Sequence, residues 1–364
     1  METKKRLMSL DALRGVTMFW IIGGDTLVHE LSRVTNWSVF NWMSHQLFHV
    51  KWNGFHFLDL IFPMFMFISG VTIPYSVGRK LEQGVSRKVL WAKALKRAVI
   101  LIFLGILYNN KLSFDFSNLR YASVLGQIGV AYLIAASIYL YYDVKGQLLW
   151  CIGILLGFWC VMALVPVPDV GAGVLTPEGN FSGYIDRLVL PGIMYREHYD
   201  PQGLLLMISS AVITLAGAIT GSAFKKENKT SNKKVISMIA LGVILVIIAL
   251  LWHQVYPINK EIWSSSFNVL TIGLSLIFLA LFYFVIDVHK KARWAFPMVL
   301  IGLNPIFIYL AHRMVEFKYT SGFLFHGFIQ MSNNYGSVVL ITGVIMLQMV
   351  LLYFLYRQKI FFKI

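Results

Sequence analysis

Long apolar runs, each able to cross a lipid bilayer as a helix, recur along the whole chain. A helix needs roughly 20 apolar residues to cross the hydrocarbon core. Of the 364 residues, 57% are hydrophobic and only 13% are charged, and the mean hydropathy is +0.67. This usage excludes an ordinary soluble domain. The sequence therefore predicts a membrane protein that crosses the bilayer many times.

The apolar runs predict an all-α polytopic fold with about ten transmembrane helices. The predicted spans are 10–31, 58–77, 98–112, 121–142, 147–165, 202–223, 235–252, 265–286, 294–315 and 336–357. They leave no room for a soluble domain. We therefore expect residues 1–364 to form one transmembrane domain.

Lysine and arginine are concentrated in alternate loops, and this pattern predicts the orientation of the chain. The largest clusters lie at 79–97, 225–234 and 290–293. Further cations expected on the same side are Lys4, Lys5, Arg6, Lys145, Arg357, Lys359 and Lys363. The positive-inside rule makes that side cytoplasmic and puts both termini there. This topology explains the net charge of +15. We predict no nucleic-acid partner, because the sequence contains no recognisable nucleic-acid-binding module.

Neither a leader peptide nor a cysteine site is indicated. Arg14 and Asp25 interrupt the first apolar run, and no small-residue cleavage site follows it, so we expect a retained helix. Cys151 and Cys160 fall within one predicted helix, nine residues apart, and this placement supports neither a disulfide nor a metal site. We predict no metal.

The segment 48–70, FHVKWNGFHFLDLIFPMFMFISG, is the strongest candidate for a reaction site. It places His49 before a Trp-Asn-Gly turn and Asp59 at the start of a membrane span. Histidine is the common side chain that titrates unperturbed near neutral pH. Asp59 has a simpler interpretation as a helix N-cap or first-turn acid, which the helix dipole stabilises. A zinc site lacks a recognisable ligand spacing, although several histidines lie near one another, namely His29, His45, His49 and His56.

The first span carries ionisable residues, which cost about 2.5–3.5 kcal/mol each at the centre of a membrane helix. Arg14 and Asp25 are eleven residues apart, about three turns, which predicts one helix face and a separation of roughly 16 Å. Asp11 and Arg14 could instead pair with each other at i, i+3. Polar residues in later spans, which could serve as interhelical hydrogen bonds, are Gln127, Asn268, Asn304 and His312.

An ordered set of short motifs identifies a family. The motifs are SLDALRG at 9–15, HVKWNG at 49–54, DLIFP at 59–63, DPQGLL at 200–205, PINK at 257–260, WSSSF at 263–267 and GLN at 302–304. Together they resemble the heparan-α-glucosaminide N-acetyltransferase family of transmembrane acyltransferases. The matches run in order over nearly the whole chain, which makes the set specific although each motif alone is weak.

The resemblance implies an enzyme that takes acetyl groups from cytoplasmic acetyl-CoA and delivers them to the amine of a glucosamine unit across the membrane. It implies that His49 is the catalytic residue, either as general base or as a transient acetyl carrier. The family commonly places an asparagine beside this histidine, at the position of Asp25 here. A carboxylate there would orient the imidazole and favour its protonated form.

The resemblance also implies binding residues. We expect Arg14, Gln127 and Asn304 to contact acetyl-CoA, although the family tends to have an arginine where this chain has Gln127. The residues expected to contact the sugar are Trp52, Asn53 and Asp59.

The expected partners and location follow from the same resemblance. The partners are an amino sugar or a glycosaminoglycan-derived saccharide and the lipid bilayer, with a homodimer as a further option. The expected location is the bacterial inner membrane. Two other interpretations stay open, an amino-sugar permease and a membrane subunit without catalysis of its own. A permease would be expected to have paired broken helices or an internal repeat, and neither is evident in the sequence.

Overall fold

A computed structural model describes residues 7–110, 115, 118–226 and 232–362. Within these ranges the regular secondary structure is helical throughout, which confirms the all-α class. Several predicted features lie outside the described residues, namely Lys4, Lys5, Arg6, Lys229, Lys363 and the end of the span 98–112.

The α-helices follow one another along the chain with short connections. They are α1 (Met8–Phe19), α2 (Asp25–Thr35), α3 (Ser38–Gln46), α4 (Phe57–Val71), α5 (Arg79–Glu82), α6 (Arg87–Asn110), α7 (Val124–Tyr141), α8 (Val144–Leu164), α9 (Phe181–Val189), α10 (Leu204–Lys226), α11 (Asn232–Trp252), α12 (Ser265–Tyr283), α13 (Phe296–Leu303), α14 (Pro305–Met314), α15 (Phe317–Leu324), α16 (His326–Met331) and α17 (Gly336–Arg357).

Seven helical segments of the described chain are long and apolar enough to cross a membrane. The count rises to eight if α13 and α14, which meet at a 69° bend, form one broken span. Multiple membrane spans are therefore confirmed. Two further predicted spans, 10–31 and 98–112, are helical where described but are not among these segments, so the count of ten stays a prediction.

The first predicted span is broken in the middle. A π-helical turn, Trp20–Gly24, separates α1 from α2, and Gly23 adopts φ 139°, which glycine tolerates far better than other residues. Because the helix changes direction here, the prediction that Arg14 and Asp25 share one straight face is wrong. Asp25 instead begins a new helix.

Helices α4, α10 and α12 form the centre of the bundle, and α8 and α11 lie at its periphery with mostly exposed apolar surfaces. Three glycines let α4 and α10 approach closely. A Cβ at Gly70 would overlap the carbonyl of Thr214, and one at Gly217 would overlap the carbonyl of Phe67. Gly217 and Gly221 make a Gly-x-x-x-Gly pair, a spacing common at close membrane-helix crossings.

We expect Gly217→Val to destabilise the bundle, because the added side chain forces α4 and α10 apart. Overpacking of this kind costs typically about 1–3 kcal/mol. Thermal unfolding of the purified protein in detergent measures the effect as a lower midpoint. Gly153 is the matched control, since a Cβ there meets no atom within 4 Å. A Gly153→Val variant that lost as much stability would contradict the packing argument.

Candidate active site at one end of the bundle

The centre of the site is a hydrogen bond between His49 and Asp59. Nδ1 of His49 lies 2.7 Å from Oδ1 of Asp59. The carboxylate is buried, with its side chain 1% exposed, whereas the imidazole is 48% exposed. Asp59 lies in the first turn of α4, where its Oδ2 accepts the backbone N–H of His56 at 3.0 Å. Asp59 therefore fixes the orientation of a ring whose other edge remains accessible.

Lys260 completes a three-residue cluster. Its Nζ lies 2.8 Å from Nδ1 and 3.1 Å from Nε2 of His49, and 3.3 Å from Oδ1 of Asp59. The lysine side chain is only 14% exposed. Burial lowers the pKa of the Lys260 ammonium, and the carboxylates of Asp59 and Glu261 oppose that shift. The PINK motif contributed to the family resemblance, but nothing in the sequence around Lys260 indicated that this loop lysine contacts His49 and Asp59.

Two loops are joined by hydrogen bonds that bring Lys260 to His49. Nδ2 of Asn259 donates to Oδ1 of Asn53 at 3.0 Å, and the backbone N–H of Gly54 donates to the carbonyl of Ile258 at 2.9 Å. Asn259 is fully buried, and its Oδ1 accepts the N–H of Ile262 at 3.1 Å. The Trp-Asn-Gly turn and the PINK segment therefore form one connected unit.

Trp263 anchors the far end of the PINK loop. It adopts φ 46°, in the left-handed region that bulky residues rarely occupy, and it is 1% exposed. Its indole N–H donates to the carbonyl of Pro201 at 3.0 Å. Its own carbonyl accepts the hydroxyl of Ser209 at 2.8 Å. Such backbone geometry persists only where the surroundings hold it, and it occurs often at functional sites.

Aromatic and charged residues build a wall beside the cluster. The indole N–H of Trp52 donates to the carbonyl of Leu175 at 2.8 Å, and the ring meets Tyr199 edge-on at 5.2 Å. The Tyr199 hydroxyl donates to Glu261 at 2.8 Å, and Arg196 lies 3.7 Å from the same carboxylate. Burial, together with the Glu261 charge, raises the pKa of Tyr199 above its usual range.

Asp25 does not contact His49 in the described structure. Its carboxylate accepts the hydroxyl of Thr26 at 3.0 Å, at the start of α2. The resemblance placed Asp25 beside the imidazole, whereas in the described residues its carboxylate bonds Thr26, and a catalytic role for Asp25 stays a prediction. Asp59 takes the position beside the imidazole. It was predicted to face the sugar, but its carboxylate is buried against His49.

The residues predicted to hold acetyl-CoA lie apart from the cluster. Arg14 pairs with Asp11 at 3.4 Å, as the i, i+3 alternative predicted. Gln127 is fully buried on α7, and neither polar atom of its amide has a hydrogen-bond partner among the described residues. The amide of Asn304 is bonded to the C-terminal segment, through the carbonyl of Ile360 and the N–H of Phe362. Their roles toward the cofactor stay predictions.

The described residues contain no group of three His, Cys, Asp or Glu side chains arranged to hold a metal ion. The nearby histidines have other contacts. His29 bonds Ser44 at 2.8 Å, and His56 bonds the carbonyl of Phe48 at 2.8 Å.

A buried carboxylate, that of Asp186, joins α9 to the segment that leads into α10. Asp186 on α9 accepts the N–H of Leu204, the first residue of α10, at 3.0 Å, and it lies close to Asp200. Asp200 itself pairs with Arg120 at 2.7 Å. Burial raises the pKa of Asp186 to about 7, with the neighbouring Asp200 charge acting in the same direction.

Fold and site together define a polytopic helical membrane protein with a histidine–carboxylate–lysine cluster at one end of the bundle. Residues 6–169 match a family model described as a domain of unknown function, DUF5009. The chain is 28% identical to the heparan-alpha-glucosaminide N-acetyltransferase of Homo sapiens over 376 residues, covering 87% of this chain and 55% of the human protein. It is 27% identical to the Mus musculus protein of the same name over 375 residues, covering 87% and 56%.

These similarities confirm the resemblance to the heparan-α-glucosaminide N-acetyltransferase family found in the motifs. It spans little more than half the length of the two relatives, 55% and 56%.

We expect the Asn53–Asn259 bond to couple the two loops measurably. Asn259→Ala leaves buried polar groups without partners, which costs about 1–3 kcal/mol. Thermal unfolding of Asn53→Ala, Asn259→Ala and the double variant forms a double-mutant cycle, and we expect a nonzero interaction energy between the two sites. Strictly additive losses would show that the two loops are stabilised separately.

Asp186 should make stability fall as pH rises. Its pKa is raised from 3.8 to about 7, so between these values the folded state keeps a proton that the unfolded state releases. The free energy of unfolding then drops with increasing pH, at most about 1.4 kcal/mol per unit. Unfolding midpoints of the wild type and Asp186→Asn, compared from about pH 4 to 7, test the sign. We expect the variant to show the weaker pH dependence, and equal slopes would exclude Asp186 as the source.

Proposed function

We propose that this chain is a transmembrane N-acetyltransferase that moves an acetyl group from acetyl-CoA to the amine of a glucosamine-type sugar. The observation that carries the proposal is the half-exposed His49 held by the buried Asp59, in a chain related to N-acetyltransferases. Aspartate fixes imidazole in this way in other histidine–carboxylate pairs, where the histidine moves a proton.

Acetyl transfer to an amine needs an unprotonated amine, a polarised carbonyl and a donor held near the acceptor. With Nδ1–H donating to Asp59, Nε2 of His49 carries the lone pair, which the Lys260 ammonium faces at 3.1 Å before the acceptor binds. The amine nitrogen of the sugar attacks the acetyl carbon, and His49 removes a proton from that amine as the new bond forms. The carbon–sulfur bond breaks, and the proton held on His49 passes to the departing thiolate. Transient acetylation of His49 itself is an alternative path to the same products.

The buried core contains polar groups suited to a thin amide-containing chain such as the pantetheine arm. Gln127 is fully buried with an unpartnered amide. Ser69 on α4 and Ser275 on α12 are also buried, and their hydroxyls have no partner among the described residues. An unsatisfied buried polar group costs about 1–3 kcal/mol. A ligand passing between these helices would supply the missing partners.

For the donor phosphates, Arg14 is the proposed contact. It lies on α1, whose start follows the basic N-terminal residues, and its side chain is 16% exposed. In the proposed topology ten spans cross a bacterial inner membrane, both termini are cytoplasmic and the donor arrives from that side. His49 then lies toward the opposite side.

The acceptor is proposed to bind against the aromatic wall beside His49. The Trp52 ring is half-buried, and Asn53 is exposed next to it. A sugar ring stacks on aromatic faces and hydrogen-bonds to amides, so this wall fits an amino sugar or a glycosaminoglycan-derived saccharide.

One observation favours a second candidate, an amino-sugar permease. Two helices are broken, one at Gly23 and one at the 69° bend between α13 and α14. Broken membrane helices often line transport sites. The permease would carry the sugar across the membrane unchanged, so the product distinguishes the two functions.

We expect purified wild-type protein to release free thiol from acetyl-CoA when glucosamine is present. His49→Ala should slow this release at least about 100-fold, because general acid–base catalysis contributes typically 10²–10⁴-fold. His326→Ala is the control, since this histidine is exposed on α16. Equal rates in the wild type and His49→Ala would overturn the enzymatic proposal.

Sealed vesicles test the direction of transfer. With acetyl-CoA on the side of the basic loops and labelled glucosamine on the other, we expect N-acetylglucosamine to form on the glucosamine side. Labelled sugar that accumulates unmodified across the membrane would support the permease instead.

A further inference from the structure

The contact between Lys260 and the His49–Asp59 pair goes beyond a histidine–carboxylate dyad. The ammonium touches both members, at 2.8 Å from Nδ1 of His49 and 3.3 Å from Oδ1 of Asp59. Its side chain is 14% exposed, so solvent screens this charge less than it screens a surface lysine. The cluster therefore contains two basic groups and one buried acid.

Charge balance in this cluster decides the protonation state of the imidazole. Asp59 alone would favour imidazolium, because a carboxylate at hydrogen-bond distance stabilises the charged ring. The Lys260 ammonium already balances the Asp59 charge, and a second cation beside it is disfavoured. In a neutral ring that donates to Asp59, the proton lies on Nδ1 and the lone pair lies on Nε2.

We propose that Lys260 is a positioning residue that keeps His49 uncharged by neutralising Asp59. This inference rests on the proposed function, in which His49 must accept a proton. Lys260 also bonds Nε2 at 3.1 Å in the resting cluster. Its flexible four-carbon stem lets the ammonium leave Nε2 and remain beside Asp59 when an acceptor amine arrives.

The fold holds Lys260 in place from outside the cluster. Asn259, the preceding residue, is fully buried and bonded to Asn53. Glu261, the following residue, accepts the hydroxyl of Tyr199. The residues on both sides of Lys260 are thus fixed, and they hold the backbone from which its ammonium reaches the cluster.

Other ionisable groups near the cluster do not substitute for Lys260. Glu261 and Arg196 act on the lysine with opposite signs. His56 lies in the same loop as His49, but its Nδ1 is bonded to the carbonyl of Phe48. The contacts to the His49 ring nitrogens therefore come from Asp59 and Lys260.

The test measures the protonation of His49 without requiring acetyl transfer. Diethylpyrocarbonate modifies neutral imidazole, and mass spectrometry of the peptide containing residue 49 gives its rate at each pH from about 5 to 8. In Lys260→Met we expect the midpoint of this profile to rise by about one unit or more, because the lost cation no longer opposes imidazolium.

Matched variants separate charge from structure. Lys260→Arg keeps the charge and should keep the wild-type midpoint, and Lys51→Met removes an exposed lysine of the same loop as His49 and should also leave it unchanged. Lys260→Gln keeps a polar side chain without charge and should match Lys260→Met, which covers the case that the methionine variant does not fold. Asp59→Asn combined with Lys260→Met should return the midpoint toward the wild-type value.

Unchanged midpoints in both uncharged variants would overturn the proposal, and so would an acetylated Lys260 as the main product with acetyl-CoA. Where acetyl transfer is measurable, the acidic limb of the kcat/KM profile should shift by the same amount as the modification midpoint. If the wild type transfers no acetyl group and Lys260→Met still raises the modification midpoint as predicted, the proposed function alone is refuted.

Discussion

The structure of the site depends on the burial of one carboxylate. Asp59 is 1% exposed at the start of α4, and an isolated buried charge is costly. Its oxygens are therefore paired with His49, the N–H of His56 and Lys260. Removing any one partner leaves part of that charge uncompensated, which couples the position of the histidine to that of the lysine.

These partners come from distant parts of the sequence, so the carboxylate also links segments of the fold. His49 follows α3, whereas Lys260 precedes α12, 211 positions later in the chain. The Asn53–Asn259 bond and the anchor at Trp263 hold the two loops in register. Beneath them, the glycine contacts between α4 and α10 provide a close-packed base. A precise reaction geometry requires such support, because small displacements of catalytic groups lower the reaction rate strongly.

Elsewhere in the bundle, two helical segments are interrupted by irregular backbone, at Gly23 and at Asn304. The break at Gly23 places Asp25 at the start of α2, and the break at Asn304 is held by backbone groups of the C-terminal segment. Backbone irregularity at membrane depth is tolerated where protein or water satisfies the freed groups. Both breaks lie in the interior of the described protein, since Gly23 is buried and Asn304 is 1% exposed.

The sequence by itself determined the all-helical membrane class, the candidate histidine and the family resemblance, because apolar run length and short ordered motifs are local properties. It also anticipated the Asp11–Arg14 pair, which depends only on helical spacing. Only the tertiary structure decided that Asp59 bonds His49 and that Lys260 joins them. The reason is physical: a π-turn at Gly23 alters helix direction without an apolar signature, and a contact across 211 positions depends on how loops meet in space.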